Sequence, residues 1–162
     1  MCKPFTIRKM LEQDREPVMQ LLAHWNMAPR PPSAEIPDPE RRTLELKNTF
    51  VAVANGIPIG VASYILHDGR RAETASLAVS PAWLGSLVGE RLQIARLIEM
   101  KARGVALVRT ESDRPEVVDW YVRKFGYRIV GTAPKRHPFG RADVATWTVL
   151  ELALDTWQRP DG

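Results

Sequence analysis

The segment from Thr49 to Gly69, TFVAVANGIPIGVASYILHDG, constrains the fold of this chain more than any other stretch. Two runs rich in β-branched residues flank Asn55-Gly56, a dipeptide that favours the tight primed turn of a β-hairpin. A second turn, HDGR, precedes AETASLAVSP, which predicts a third strand ended by Pro81. Three consecutive strands joined by turns predict an antiparallel meander.

The hydrophobic pattern changes after the meander from the period of a strand to that of a helix. Apolar residues between Leu87 and Arg103 recur at steps of three or four, which predicts an amphipathic helix that Gly104 ends. These positions are Val88, Leu92, Ala95, Ile98 and Ala102. The next run, VALVRT, predicts a buried strand. The helix therefore connects this strand to the third strand of the meander, and the two strands are predicted to be parallel, with a right-handed crossover.

The remaining segments complete an α+β plan with a mixed sheet. FTIRKM predicts a first strand, the residues after Asp14 a helix, and RRTLELKN a short helical piece after a proline-rich loop. Asp113 and Glu116 have capping-box spacing for a helix that reaches about Phe125, and YRIVGT and TWTVLELAL predict two final strands. The predicted order is β-α-α-β-β-β-α-β-α-β-β in a single domain over residues 1–162.

Composition excludes several classes of function. The chain has 162 residues, a net charge of +4 and no apolar run near the roughly 20 residues of a membrane span. The N-terminus lacks a signal-peptide core, and Cys2 is the only cysteine, so neither an intrachain disulfide nor a cysteine-based metal site is expected. Basic residues are scattered among acids, without a basic stripe interleaved with aromatics. These features predict a cytoplasmic protein that binds neither membrane nor nucleic acid.

Four stretches, in this order, resemble the GNAT N-acetyltransferase superfamily, whose members transfer acyl groups from acyl-coenzyme A to amines. TIRKMLEQD is similar to the first strand and turn of that family, and AETASLAVSP to its fourth strand. WLGSLVGERL falls where the family has its pyrophosphate loop, and WYVRKFGY where it has Tyr-x-x-x-Gly-Phe. The resemblance covers nearly the whole chain and implies a GNAT-like sheet that splays between the fourth and fifth strands.

The same resemblance implies a cofactor and a class of acceptor. Acetyl-CoA would be the cosubstrate, with no metal, and the acceptor a small-molecule amine or a protein amino group. The thioester oxygen and the pantetheine arm would bind backbone groups of the fourth strand around Leu77, Ala78 and Val79. Many relatives form homodimers, and the sequence leaves dimerisation open.

The predicted pyrophosphate loop departs from the family motif. Gly85 and Gly89 match its first and third glycines, but Leu84 replaces the usual Arg or Gln and Leu87 the middle glycine. Phosphate is bound there by backbone N–H groups at a helix start, which a leucine does not remove. Residues 85–89, that is Gly85, Ser86, Leu87, Val88 and Gly89, are therefore predicted to bind pyrophosphate; a plain strand-to-helix turn is the alternative. Leu87 can adopt helical backbone angles if its side chain points into the core.

Three side chains are candidates for proton transfer. Glu73 resembles the strand-four glutamate of histone-acetylating members and would be the general base; a strand residue that points to solvent or pairs with Arg71 is the alternative. Tyr121 lies one residue before the position of the family's acid tyrosine, here Val122, about 100° around a helix. It would contact the thiol or else only pack against the sheet. His137 lies in a loop that often borders the acceptor, where histidine suits proton transfer, or is simply a surface residue.

The predicted function is an N-acetyltransferase that moves an acetyl group from acetyl-CoA to an amine by direct attack in a ternary complex. The alternative is a CoA-binding sensor or pseudoenzyme, because Leu84, Leu87 and Val122 all depart from the family pattern.

Overall fold

The computed structural model describes residues 3–28, 44–135 and 139–159. Within them, seven strands and three α-helices follow one another in nearly the predicted order. They are β1 (Thr6–Lys9), α1 (Arg15–His24), β2 (Thr49–Ala54), β3 (Ile57–His67), β4 (Arg71–Val79), α2 (Val88–Ala102), β5 (Leu107–Ser112), α3 (Pro115–Phe125), β6 (Arg128–Pro134) and β7 (Thr146–Ala153). No helix in this part of the chain is long and apolar enough to cross a membrane.

The strands form one mixed sheet in the order β1-β2-β3-β4-β5-β7-β6. Every neighbouring pair is antiparallel except β4 and β5, as the crossover through α2 requires. Helix α1 covers one face, where Val18 and Leu22 pack with Val51 and Val61. Helices α2 and α3 cover the opposite face. The predicted α+β architecture with a mixed sheet is confirmed.

The meander forms through the turns that its sequence predicts. Asn55 and Gly56 adopt positive φ angles of 52° and 76°, which a primed hairpin turn needs and which asparagine and glycine tolerate best. Ala54 then pairs with Ile57 directly across the turn. The hairpin prediction is confirmed.

The sheet opens between β4 and β5. The two strands pair only from Arg71 opposite Leu107 to Glu73 opposite Arg109, although β4 continues to Val79. On its other side β4 bulges, because Ser76 pairs with Ser63 while Thr74 pairs with Tyr64. A bulge adds twist to a strand and turns it away from its neighbour. The predicted splay is confirmed.

Three local expectations need correction. In RRTLELKN the structure has only a 3-10 turn at Leu46–Asn48, and residues 41–43 lie outside the described chain. Asp113 does not cap α3, because it accepts a 2.7 Å hydrogen bond from Lys135 Nζ instead. The buried face of α2 is also rotated from the predicted one. Ile98 is 43% exposed, whereas Gln93 and Arg96 are fully buried.

Close contact with the sheet fixes the start of α2. A Cβ atom at Gly60 on β3 would lie 2.8 Å from Val88 Cγ1 and 2.9 Å from Leu92 Cδ1. Glycine therefore lets the first turn of α2 pack directly on the backbone of β3. This contact places the helix start beside the open edge of β4.

Candidate active site

A cavity of about 1050 Å³ occupies the opening between β4 and β5. Its walls include β3 and β4, the start of α2, the end of β5 and one face of α3. Trp25 at the end of α1 borders it from one face of the sheet, and Tyr121 of α3 borders it from the other. The cavity therefore connects the two faces of the sheet through the splay.

The open edge of β4 forms one wall of the cavity. Leu77, Ala78 and Val79, predicted to bind pantetheine, all line it. Beyond Glu73 this edge has no strand beside it among the described strands, so its backbone groups face the opening. Two of its carbonyls accept hydrogen bonds from side chains, Val79 O from Trp25 Nε1 at 3.1 Å and Ser76 O from Arg96 Nη1 at 2.7 Å. The other polar groups of this edge can bind an extended ligand.

Tyr121 reaches this cavity although it is one residue away from the family position. It lies on the buried face of α3 and lines the cavity, whereas Val122 packs against the hydrophobic core. Its hydroxyl oxygen accepts a 3.0 Å hydrogen bond from Arg96 Nη2. A phenol oxygen is thus present on the α2 and α3 side of the opening.

Arg96 is the residue that sequence reasoning missed on this side. It is not among the apolar positions predicted for the buried face of α2, yet the residue is 0% exposed and lines the cavity. Its Nε donates to Gln93 Oε1 at 2.6 Å and its Nη1 to Ser63 O at 3.0 Å. Gln93 in turn donates to the Tyr127 hydroxyl, and burial raises the pKa of the Tyr127 phenol.

Tyr64 places a second phenol in the cavity wall, but its hydroxyl already forms two hydrogen bonds with other side chains. Its hydroxyl donates to Glu99 Oε2 at 2.5 Å and accepts from Arg103 Nη1 at 2.8 Å. Burial, together with the hydrogen bond to Glu99, raises the pKa of Tyr64 to about 12. Tyr64 therefore holds its proton toward Glu99.

On the face of the sheet opposite to Tyr121, charged residues lie where β4 and β5 separate. Glu73, Arg109 and Glu111 share that face, because Glu73 pairs in parallel register with Arg109 and side chains alternate along β5. Glu111 lines the cavity with a side chain only 8% exposed, and its Oε1 lies 3.2 Å from Arg109 Nε. Glu73 is also buried, and its Oε2 lies 3.2 Å from His67 Nε2.

The two carboxylates differ in their access to the opening. Among the described residues that line the cavity, Glu111 is present and Glu73 is absent, although its neighbour Thr74 is present. Glu111 was not among the candidates from sequence. The signal for it was two charged residues, Arg109 and Glu111, at alternate positions of an otherwise buried strand.

The predicted pyrophosphate loop lies at the start of α2 on the rim of the cavity. Gly85 has a φ of 79°, a left-handed conformation that suits glycine, and Leu87 occupies the N-cap position before Val88. The Leu87 side chain does not point into the core. Leu84 and Leu87 are 58% and 51% exposed, whereas Val88 is buried and packs on β3.

The amides of this loop have different partners. Ser86 N–H donates to Trp83 O and Val88 N–H to Ser86 Oγ, each at 3.3 Å. Helix geometry leaves the N–H groups of Gly89 and Glu90 without acceptors inside the first turn. The positive end of the helix and its free amides therefore face the rim of the cavity, which suits an anion.

A buried hydroxyl inside the cavity has no partner of its own. Ser63 Oγ is buried, lines the cavity and forms no hydrogen bond among the described residues. An unpaired buried hydroxyl costs about 1–3 kcal/mol, which a polar atom of a bound ligand would offset. The described residues contain no group of three or more side chains suited to a metal ion.

The connection between β6 and β7 closes one side of the cavity in part. Phe139 and Gly140 line the cavity, and Gly140 N–H donates to Asn26 O at 3.0 Å while Asn26 Nδ2 donates to Gly140 O at 3.1 Å. This pair of bonds ties the connection to the end of α1. His137, predicted as a possible proton-transfer residue, lies outside the described residues.

The chain belongs to the acetyltransferase (GNAT) family, whose model matches residues 15–127. It is thus an enzyme of the acetyltransferase class, and acetyl transfer is the general reaction of that class. No curated protein matches the sequence significantly.

Solved structures of acetyltransferases share the fold at low identity. The ribosomal-protein-S18-alanine N-acetyltransferase from Escherichia coli has a TM-score of 0.69 at 17% identity, covering 98% of this chain and 97% of that one. Ard1 from Thermoplasma volcanium has a TM-score of 0.71 at 22% identity, covering 91% and 96%. The yncA protein from Salmonella typhimurium, solved with acetyl-CoA, has a TM-score of 0.67 at 21% identity, covering 98% and 99%.

Proposed function

We propose that this chain transfers an acetyl group from acetyl-CoA to an amine, by direct attack of the amine in a complex that holds both substrates. The observation that carries the proposal is the opening between β4 and β5, which joins a buried phenol on one face of the sheet to a buried carboxylate on the other. A thioester held in that opening would present its sulfur to Tyr121 and its carbonyl carbon to an amine near Glu111. Direct transfer needs the two substrates to meet in this way.

The residues present suit acetyl-CoA. The amides at the start of α2 and the left-handed Gly85 would take the pyrophosphate, and the open edge of β4 at Leu77 to Val79 would take the pantetheine arm. Lys124, which lines the rim and lies 3.4 Å from Glu90 Oε1, supplies a cation near a loop that lacks the usual arginine. Bound there, acetyl-CoA supplies an activated acetyl group.

A carboxylate would remove the proton that an amine carries at neutral pH. Glu111 fits this role because its side chain borders the cavity. Glu73, proposed from sequence, lies on the same face of the neighbouring strand and would act only through water. The acceptor is a small-molecule amine or a protein amino group, admitted past Trp25 and the connection at Phe139.

Release of free thiol from acetyl-CoA, measured against a panel of small amines and peptides with free α-amino groups, tests the function. Turnover with at least one amine, with the acetylated product found by mass spectrometry, is expected. A thermal-shift series with acetyl-CoA runs in parallel, because only a ligand of the native state raises the melting temperature. Stabilisation without turnover on any amine would replace the enzyme with a CoA-binding sensor.

A further inference from the structure

Arg96 is a buried charge whose known partners are all neutral. Its guanidinium donates to the carbonyls of Ser63 and Ser76, to Gln93 Oε1 and to the hydroxyl of Tyr121. Among the described residues no carboxylate forms a salt bridge with it. A buried cation without a counter-charge is costly even when it is hydrogen-bonded. The packing of α2 does not require a charged residue at this position, since the buried residues Leu92, Leu97 and Met100 around it are apolar.

The direction of the Arg96–Tyr121 bond decides where the phenol proton points. A guanidinium only donates, so the Tyr121 oxygen is the acceptor, and a phenol has a single O–H of its own to donate. That O–H must point away from Arg96. Because Tyr121 lines the cavity, the proton is directed into the opening between β4 and β5.

The same guanidinium also fixes the strand edge beside the phenol. Nη1 binds both Ser63 O and Ser76 O at the bulge of β4, while Nη2 binds Tyr121. One planar guanidinium thus fixes the position of the Tyr121 phenol relative to the open edge of β4. It also explains how a tyrosine at position 121, rather than at position 122, can still present its hydroxyl at the opening.

We propose that Arg96 is a positioning residue that aims the Tyr121 hydroxyl at the sulfur of CoA. This inference rests on the proposed function. As the amine nitrogen forms its bond to the acetyl carbon, the C–S bond breaks and the sulfur takes the phenol proton. The amine proton passes to the carboxylate and then to water, and the phenolate regains a proton from water in the cavity, next to the Arg96 charge.

Binding of CoA and of desulpho-CoA, which lacks the sulfur, tests this arrangement without any acceptor. Calorimetry at about pH 9, above the ordinary thiol pKa of about 8.5, gives a substantial fraction of thiolate. Wild type is expected to bind CoA about tenfold more tightly than desulpho-CoA, the effect of one hydrogen bond to a charged group. Tyr121→Phe and Arg96→Lys are expected to lose this preference and to keep the affinity for desulpho-CoA. Lysine keeps the charge, but its single nitrogen cannot occupy the positions of both Nη1 and Nη2.

Tyr127→Phe is the matched control. It removes another buried phenol hydroxyl from the same network, where Tyr127 bonds to Gln93 rather than to Arg96. Its preference for CoA should equal that of wild type. The proposal is overturned if wild type shows no preference, if Tyr121→Phe or Arg96→Lys retains it, or if Tyr127→Phe loses it as well.

Thermal unfolding of the two tyrosine variants supplies a measurement that does not depend on Arg96→Lys being folded. Tyr121→Phe leaves a cationic donor without its acceptor, whereas Tyr127→Phe leaves a neutral amide without one. Tyr121→Phe should therefore lower the melting temperature more. A Tyr121→Phe protein as stable as wild type would show that Arg96 does not hold the hydroxyl.

Different results would overturn the proposed acetyl transfer and the proposed role of Arg96. Preference for CoA that depends on Arg96 and Tyr121, in a protein that acetylates no amine, would support the positioning role and overturn only the proposed function. Acetyl transfer with a preference that is unchanged in Arg96→Lys would overturn only the role of Arg96.

Discussion

The two ends of the cavity are built in opposite ways. At the end where we propose that the chemistry occurs, here called the chemical end, the side chains of Arg96, Tyr121 and Glu111 are buried. Arg96 donates to the Tyr121 hydroxyl, and Glu111 lies 3.2 Å from Arg109. At the loop proposed to bind phosphate, residues 84–89, here called the phosphate loop, the side chains of Leu84 and Leu87 are exposed while Val88 packs on β3. The groups proposed to bind the ligand there belong to the backbone. Side-chain identity therefore matters at the first end, whereas backbone conformation matters at the second. This explains how a loop with two leucines at motif positions can keep its geometry.

The largest effect is expected at the chemical end, from Glu111→Gln. Glutamine keeps the size of the side chain but cannot accept the amine proton, so kcat should fall by about 10²–10⁴-fold while the KM for acetyl-CoA changes little. The rate should recover partly at high pH, where more of the amine is unprotonated. Steady-state kinetics over a range of pH values measures both effects.

Glu73→Gln is the comparison for that variant, since Glu73 lies on the same face of the neighbouring strand. A smaller loss of kcat than in Glu111→Gln is expected, because Glu73 does not border the described part of the cavity. If Glu73→Gln lowers kcat by the larger factor, the base is Glu73, as proposed from sequence alone.

At the phosphate loop, the largest effect is expected from Gly85→Val. A Cβ atom at this position would meet nothing within 4 Å in the protein, but the residue must keep a φ of 79°. The new side chain would also cover the backbone that phosphate would approach. CoA affinity should fall by about tenfold, and stability by about 1–2 kcal/mol from the left-handed conformation. Calorimetry and urea unfolding measure the two separately.

Gly56→Val controls for strain alone. Gly56 has a φ of 76° and open space around it, in a hairpin turn outside the cavity lining. It should lose a similar amount of stability and keep its CoA affinity. Equal loss of affinity in both variants would mean that strain, and not the phosphate site, explains the result at Gly85.

A smaller effect is expected from Lys124→Met at the rim. One partly exposed charge contributes up to about 1 kcal/mol, so CoA affinity should fall by at most about fivefold, and less at high salt. Arg123→Met removes an adjacent charge that pairs with Asp119 and does not line the cavity. Titrations at low and high salt compare the two variants, and an identical response would exclude a specific role for Lys124.

The smallest effect is expected from Leu87→Ala. The side chain is exposed, and the groups proposed to bind phosphate belong to the backbone, so CoA affinity should change by less than about twofold. A tenfold loss in the same calorimetric assay would contradict the comparison between the two ends, because it would show that the loop binds the cofactor through its side chains.

Local patterns in the sequence determined most of the secondary structure. Asn55-Gly56 predicted the hairpin because few residues tolerate two positive φ angles in a row. The helix predicted to reach about Phe125 does end there, at Gly126, whose φ is 79°. The loop at Gly85 and Gly89 was placed correctly at the start of α2, since glycine preferences depend on neighbours in sequence.

Tertiary structure alone decided which side chains form the chemical end. Arg96 is buried because carbonyls of β3 and β4 and the phenol of α3 meet it, and those partners are distant in sequence. Glu111 borders the cavity, and Glu73 does not, because β4 and β5 separate just after Glu73 pairs with Arg109. The sequence by itself determined the strands, most of the helices and the glycine turn before α2, through local conformational preferences. The positions of Arg96, Tyr121 and Glu111 around one opening depended on long-range packing, which no local pattern contains.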